Sequence, residues 1–199
     1  LKSWKYHLKN KTFSKKCSIS KNLTKLLYEN SLTNYFVSPL HMETICNSLN
    51  IDKKKGFVVR PIIDLDKFTN MNHKRDIDNL FVGVVCEAKG FAILKKEYGN
   101  KEITVVGKSL LKNKKDFGNW LGEIKYDEIP KIMNRAKNFI YKPRWPEPQG
   151  RVVIEAALCG CNLITNDNVG AKSFNFDLSI PTNYEGATEE FWNHMENLL

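Results

Sequence analysis

Apolar positions along this chain fall into short unbroken runs separated by longer stretches of helical period. Lys21 to Leu32 reads as a helix with Leu23, Leu26 and Leu27 on one side. From Asn34 onward the pattern is regular. Tyr35-Phe36-Val37 reads as a short strand, and Ser38 can cap a helix that starts at Pro39, with Glu43 in its first turns. Gly56 to Arg60 reads as a second strand, stopped by Pro61, and residues 69–78 read as a polar linker. The alternation then resumes. Strands are expected at Leu80 to Val85, Glu102 to Val106, a short run ending in Trp120-Leu121-Gly122, Asn138 to Tyr141, and Asn162 to Thr165. Helices are expected at Ala88 to Tyr98, Tyr126 to Ala136, Gly150 to Leu158, and finally Glu189 to Leu199.

Strands that are short continuous apolar runs, each followed by a helix, indicate a parallel sheet covered on both faces. Five such repeats in about 95 residues predict an α/β fold with a doubly wound parallel sheet. Ligands of such sheets bind beyond the carboxyl ends of the strands. Composition adds limits. Hydrophobic residues make up 42% of the 199, enough for a core. No apolar run approaches ~18 residues, so no membrane-crossing helix is expected. The basic start, Leu1 to Lys5, has no apolar signal core behind it. It also lacks an initiator Met, which fits either a fragment or a trimmed chain.

The net charge of +9 comes mostly from Lys, with only five Arg. It fits either a compositional bias on solvated faces or attraction to anions such as nucleotide diphosphates, acidic lipids or nucleic acid. Five cysteines form no paired framework, which suggests a reducing compartment. Cys159 and Cys161 read as buried small hydrophobes rather than metal ligands, because no second Cys or His pair completes a site.

The chemistry concentrates between Tyr141 and Ala157. A strand ends, a Pro-rich loop follows, and Gly150 opens a helix. Helix starts present free N–H groups and a partial positive charge that suit phosphate, and glycine allows close approach. Glu147 stands in the loop before these donors. Glu155 stands five residues into the helix, ~7.5 Å along its axis. Two carboxylates flanking a phosphate site could hold the sugar hydroxyls and the ribose hydroxyls of a nucleotide diphosphate-sugar. The same spacing also fits two glutamates in ordinary ion pairs.

At these residues the sequence resembles a family. Glu-Pro-Gln-Gly followed by Glu155, with seven residues between Glu147 and Glu155, resembles the E-x7-E motif of glycosyltransferase family 4, the "group 1" set of retaining GT-B enzymes. Asn138 to Pro143 is similar to the family's strand before the motif, with Arg144 where Ser is usual. Glu155-Ala156-Ala157-Leu158-Cys159-Gly160 is similar to its Glu-Ala-x-Ala-x-Gly segment, and Asn162 to Thr165 with Gly170 to the next strand and glycine turn. Phe81-Val82-Gly83 and Lys89-Gly90 resemble the phosphate loop, with Val84 in place of an arginine. Val105-Val106-Gly107 resembles the strand after that helix. Leu121-Gly122 and the helix from Asp127 resemble the segment lining the base pocket. Phe36-Val37-Ser38 and the run Val58 to Phe68 resemble upstream segments, with Ile62 where Asn-Gly is usual. The resemblance covers residues 34–172.

The resemblance implies a GT-B C-terminal Rossmann-like domain at residues 71–185. It implies a remnant of the acceptor-side N-terminal domain at 1–70 and a C-terminal helix at 186–199. It implies a retaining glycosyltransferase that moves a sugar from a nucleotide-sugar to a glycan or lipid acceptor. The alternative is the donor-binding half of a split or truncated enzyme, inactive alone. Glu147 would be the catalytic-site residue that orients the donor sugar. Lys89, Gln149, Gly150, Arg151, Val152 and Glu155 would bind the donor, with Lys89 on the pyrophosphate and Glu155 on the ribose. No metal or cofactor is expected; Asp64-Leu65-Asp66 reads as a structural turn. The expected partners are the nucleotide-sugar, the acceptor, an acidic membrane surface or a missing N-terminal domain, and not nucleic acid. The expected location is cytoplasmic, peripheral at the membrane.

Overall fold

A computed structural model of the chain describes residues 15–99, 102–110 and 117–198, with side chains from residue 21. The Lys-rich residues 1–14, the side chain of Cys17, and the Leu199 end of the expected last helix lie outside the described residues. Among the described residues, seven strands form two sheets. The main one contains β3 (Ile77–Val82), β4 (Thr104–Val106), β5 (Asn119–Gly122), β6 (Ala136–Tyr141) and β7 (Asn162–Thr165), in the order β5-β4-β3-β6-β7. All four of its pairings are parallel, as the sequence pattern predicts. The small sheet pairs β1 (Asn34–Phe36) with β2 (Gly56–Val58), also in parallel.

The helices are α1 (Lys15–Asn30), α2 (Pro39–Leu49), α3 (Phe91–Tyr98), α4 (Ile129–Arg135), α5 (Arg151–Leu158) and α6 (Ala187–Glu196). The main strands read as unbroken apolar runs because both faces are covered. Leu80, Phe81, Val105, Val106, Phe139 and Ile140 are all buried, against Leu94, Met133, Val153 and Ile154 of the helices. At the amino ends of the strands, side-chain amides join neighbours. Asn138 Nδ2 donates to Asp78 O at 3.0 Å, and Asn162 Nδ2 donates to Asn138 Oδ1 at 3.0 Å.

Several boundaries differ from expectation. The expected Leu80–Val85 strand runs instead from Ile77 to Val82. It ends there because Gly83 turns the chain at φ 148, and the expected linker therefore stops at residue 76. The expected Ala88–Tyr98 helix is a 3-10 turn, Glu87–Lys89, followed by a left-handed Gly90 and then α3. The Tyr126–Ala136 helix divides likewise into a 3-10 turn, Tyr126–Glu128, and α4, with Ala136 opening β6. The last helix begins two residues early, after left-handed Gly186. The leucines expected on one side of the first helix do share a side, but Leu23, Leu26 and Leu27 are exposed by 56–64%. Tyr28 packs instead on Phe36, ring centroids 6.0 Å apart.

The chain leaves β3 for β4 and β5, then returns through α4 to lay β6 on the other side of β3. That reversal is the switch point at which such sheets bind ligands. Its carboxyl-end loops meet without a gap. A Cβ on Gly90 would lie 1.8 Å from Lys142 O, and Arg144 N donates to Ala88 O at 3.0 Å. The small sheet is tied to α6 by Tyr35 and Phe191, 5.1 Å apart, and by Tyr35 Oη with His194 Nδ1 at 3.1 Å. Among the described residues no helix is long and apolar enough to cross a membrane.

Two alanine substitutions should separate strain from contact. Gly90 and Gly122 both have left-handed backbones, φ 82 and 74. At Gly122 nothing lies within 4 Å of an added Cβ, so Gly122→Ala should cost about 1–2 kcal/mol of strain. Gly90→Ala should cost about 2 kcal/mol more, because the loops must part. Urea unfolding of the two variants gives the comparison, and equal costs would show that the loops separate freely.

Candidate functional site

Lys89 and Glu147 reach the switch point from opposite sides. Lys89 ends the 3-10 turn after β3. Glu147 stands in the loop after β6, where its N–H donates to Asn168 O at 2.7 Å and its carbonyl accepts from Gly170 N at 2.9 Å. The Lys89 Nζ and Glu147 Oε2 atoms form an ion pair. The ammonium also lies 5.6 Å from the centroid of the Tyr141 ring. Burial draws the Lys89 pKa down, but its bonds to Glu147 and Tyr141 outweigh this and hold it above the ordinary 10.5. Burial pushes the Tyr141 hydroxyl up to about 12. At neutral pH the group below the pair is therefore a neutral phenol, and the cation is a full charge.

α5 begins beside this pair. Gly150 holds φ 73, and no side chain caps the helix start. An eight-residue helix of Val, Ile, Ala and Leu would be wholly apolar but for Arg151 and Glu155. Glu155 is 4% exposed and is the one buried carboxylic acid among the described residues. It keeps company with two donors. Tyr126 Oη donates to its Oε1 at 2.8 Å, and Arg151 Nε donates to the same oxygen at 3.1 Å.

The expected site residues therefore fall into two groups at one sheet edge: Lys89 with Glu147, and Arg151 with Glu155. Two others sit differently. The Gln149 side chain turns away and donates to Val37 O at 3.1 Å. Val152 packs on the core, so its backbone N–H is the group it has for a ligand. Both glutamates are ion-paired, as one sequence reading allows, but Glu155 is not a surface residue. Tyr126 and Tyr141 were not singled out by sequence. The one available signal was their position, at the start of a helical segment and at the last residue of a strand.

Three further expectations concern neighbouring residues. Asp64 makes a turn, accepting from Lys67 N at 3.0 Å through Oδ1. Cys159 and Cys161 are buried, and burial pushes their thiols up to about 12 and about 11. Beside the loop after β3, Gly107, Ser109, Trp120, Leu121, Gly122 and Glu123 line a cavity of about 750 Å³ at the ends of β4 and β5. Asp127 does not line it; it bonds Lys67 Nζ at 2.7 Å.

A five-stranded parallel sheet of this order, with charged groups at the switch point, is a doubly wound Rossmann-like domain. The sequence model of the family described as "Glycosyl transferases group 1" matches residues 65–179, more than half of the chain, and the chain belongs to that family. Similar solved structures agree on the fold. Anabaena Alr3699/HepE is 17% identical, with a TM-score of 0.66 over 81% of this chain and 51% of that one. Sucrose-phosphate synthase from Thermosynechococcus elongatus is 18% identical, with a TM-score of 0.64 over 82% and 48%. The chain thus spans about half the length of these structures. No curated protein matches it in sequence.

Removing the cation should expose the cost of the pair. Lys89→Met leaves Glu147, whose side chain is 23% exposed, without its cation, for a loss of about 1–2 kcal/mol. A lysine held above its ordinary value contributes fully below 10.5 and loses the contribution as pH rises through the raised value. The gap between wild type and variant should therefore be equal at pH ~7 and ~9 and shrink above ~10.5, as read by denaturant midpoints.

Proposed function

We propose that this chain binds a nucleotide-sugar and transfers the sugar, with retention at the anomeric carbon, to a glycan or lipid acceptor. The observation that carries this is the meeting of Lys89 and Glu147 at the switch point, with the uncapped start of α5 between Glu147 and buried Glu155. The donor pyrophosphate would lie on Lys89 and on the N–H groups of Gly150, Arg151 and Val152, where a cation and a helix start neutralise the leaving group. Exchange of the Glu147 carboxylate for phosphate oxygens on Lys89 would free Glu147 to orient the sugar hydroxyls. Glu155 would receive the ribose hydroxyls, and the cavity between β4 and β5 the base. The leaving-group charge is met by these groups, so the reading assigns no step to a metal or cofactor. Solved structures of HepE are complexes with UDP and with UDP-glucose, which supports a uridine or related diphosphate-sugar as the donor.

The length comparison favours a second reading beside it. A chain spanning about half of the structures it resembles would bind the donor and need an acceptor-side domain to act. That partner would meet the face made by residues 34–60 and α6. A peripheral place at a cytoplasmic acidic membrane surface follows from a lipid acceptor and the +9 charge. Nucleic acid is not part of the reading.

Two isosteric substitutions test the division of labour. Glu155→Gln should weaken binding of UDP and UDP-glucose alike, by about 1–3 kcal/mol, because both contain ribose. Glu147→Gln should weaken UDP-glucose and leave UDP unweakened or tighter, because the diphosphate then displaces no carboxylate from Lys89. Calorimetric titration of both variants with both ligands decides it. Equal loss of UDP binding in the two variants would refute the assignment.

A further inference from the structure

The orientation of Glu155 depends on a residue outside the family motif. Tyr126 Oη donates to Glu155 Oε1 at 2.8 Å, Arg151 Nε donates to the same oxygen at 3.1 Å, and Arg151 Nη2 donates to Tyr126 Oη at 3.3 Å. The phenol is thus used as donor and acceptor at once. A carboxylate held by one contact can rotate about its last bond, whereas one closed into a triangle cannot. With both donors on Oε1, Oε2 is the oxygen that would receive ligand hydroxyls.

Tyr126 is itself held from behind. Phe68, 1% exposed, meets its ring edge-on with centroids 5.6 Å apart. Lys67 Nζ lies 4.9 Å from the ring centroid and 2.7 Å from Asp127 Oδ1. Both residues are delivered by the turn at Asp64, whose carbonyl accepts from Phe68 N at 3.0 Å. The run from Asp64 to Phe68 therefore props a phenol, and the phenol fixes a carboxylate.

We propose that Tyr126 is a positioning residue that holds the Glu155 carboxylate in the rotation that receives both ribose hydroxyls, and so makes the site select ribonucleotides over their deoxy counterparts. The proposal rests on the reading that Glu155 faces the ribose. A role in stability alone would be different in kind. Tyr126 is 45% exposed, and Tyr126→Phe keeps the ring against Phe68 and Lys67 while deleting one hydroxyl.

The test uses the whole 199-residue chain. From UDP, GDP and ADP, the tightest binder is chosen by calorimetry and compared with its 2′,3′-dideoxy form. Wild type should prefer the ribonucleotide by about tenfold or more, the range expected for hydroxyls bonded to a carboxylate. Tyr126→Phe should reduce that preference at least about threefold while leaving the dideoxy affinity within about twofold. An unchanged preference, or equal weakening of both ligands, overturns the positioning role. Glu155→Gln separates the two ideas. If it abolishes the preference and Tyr126→Phe does not, the ribose reading stands and the proposal falls. If wild type shows no preference, or binds none of the three diphosphates, both fall.

Discussion

Everything at the site depends on how closely the loops after β3 and β6 approach. There is no room for a side chain where Gly90 faces the Lys142 carbonyl, and the Arg144 N–H closes the same seam on Ala88 O. The backbone, not the ion pair, therefore sets the distance between Lys89 and Glu147. A partly exposed pair is worth about 0–1 kcal/mol, too little to draw two loops together against their conformational entropy. Glycine's freedom at φ 82 permits the approach, and the charges then meet as a consequence. Glu147 is fixed as firmly on its own side, since its backbone forms a parallel bridge with Val169 beyond β7. A cation and an anion are thus held on two frames that the pair itself does not set.

Glu155 poses a different energetic problem. A carboxylate at 4% exposure in an otherwise apolar helix face is expensive to desolvate, and its donors offset that cost without making it favourable. Replacing a buried pair by apolar residues is often neutral or stabilising. Folding alone therefore gives no reason for an acid there, when neighbours Ile154 and Ala156 show what the helix otherwise places in the core. The proposed ribose role would give one, since an acceptor of fixed direction, screened from water, forms stronger bonds to hydroxyls than a mobile surface acid does.

How much of this could be read from the sequence varies with the physics of each feature. β7 fell on its expected bounds because it is an apolar run between turns, and Ser38 was legible as a cap because its hydroxyl accepts from His41 N at 3.0 Å. β3 was displaced because Asp78 and Asn79 look like linker. The Asp78 carboxylate is met by Lys137 Nζ at 2.6 Å, and the Asn79 amide by Asn138 and the Glu102 carbonyl at the sheet's amino edge. Lys89 and Glu147 were legible through a motif, since spacing alone left them as ordinary charges. Tyr126 and Tyr141 were not, because periodicity does not say which aromatic from another element lies under a charge. The leucines of α1 share a side, as their spacing says, but spacing does not say what lies over that side.

The loop that carries Glu147 is also held from the side of the small sheet. Ser38, fully buried, donates through Oγ to Pro148 O while accepting from His41 N at the start of α2. Gln149 reaches Val37 O, and Leu40 N donates to Ser173 Oγ at 2.9 Å. Gly170 completes the clamp, since a Cβ there would lie 2.0 Å from Pro148 O and 2.5 Å from Ser38 Oγ. Glu147 is thus the immediate neighbour of a residue whose carbonyl is bonded to the N-cap of α2. Any displacement of that turn must break these bonds or carry the Pro148 loop with it. The β1–α2 segment is therefore mechanically continuous with the carboxylate at the switch point, and its position is one of the terms that fix where Glu147 stands.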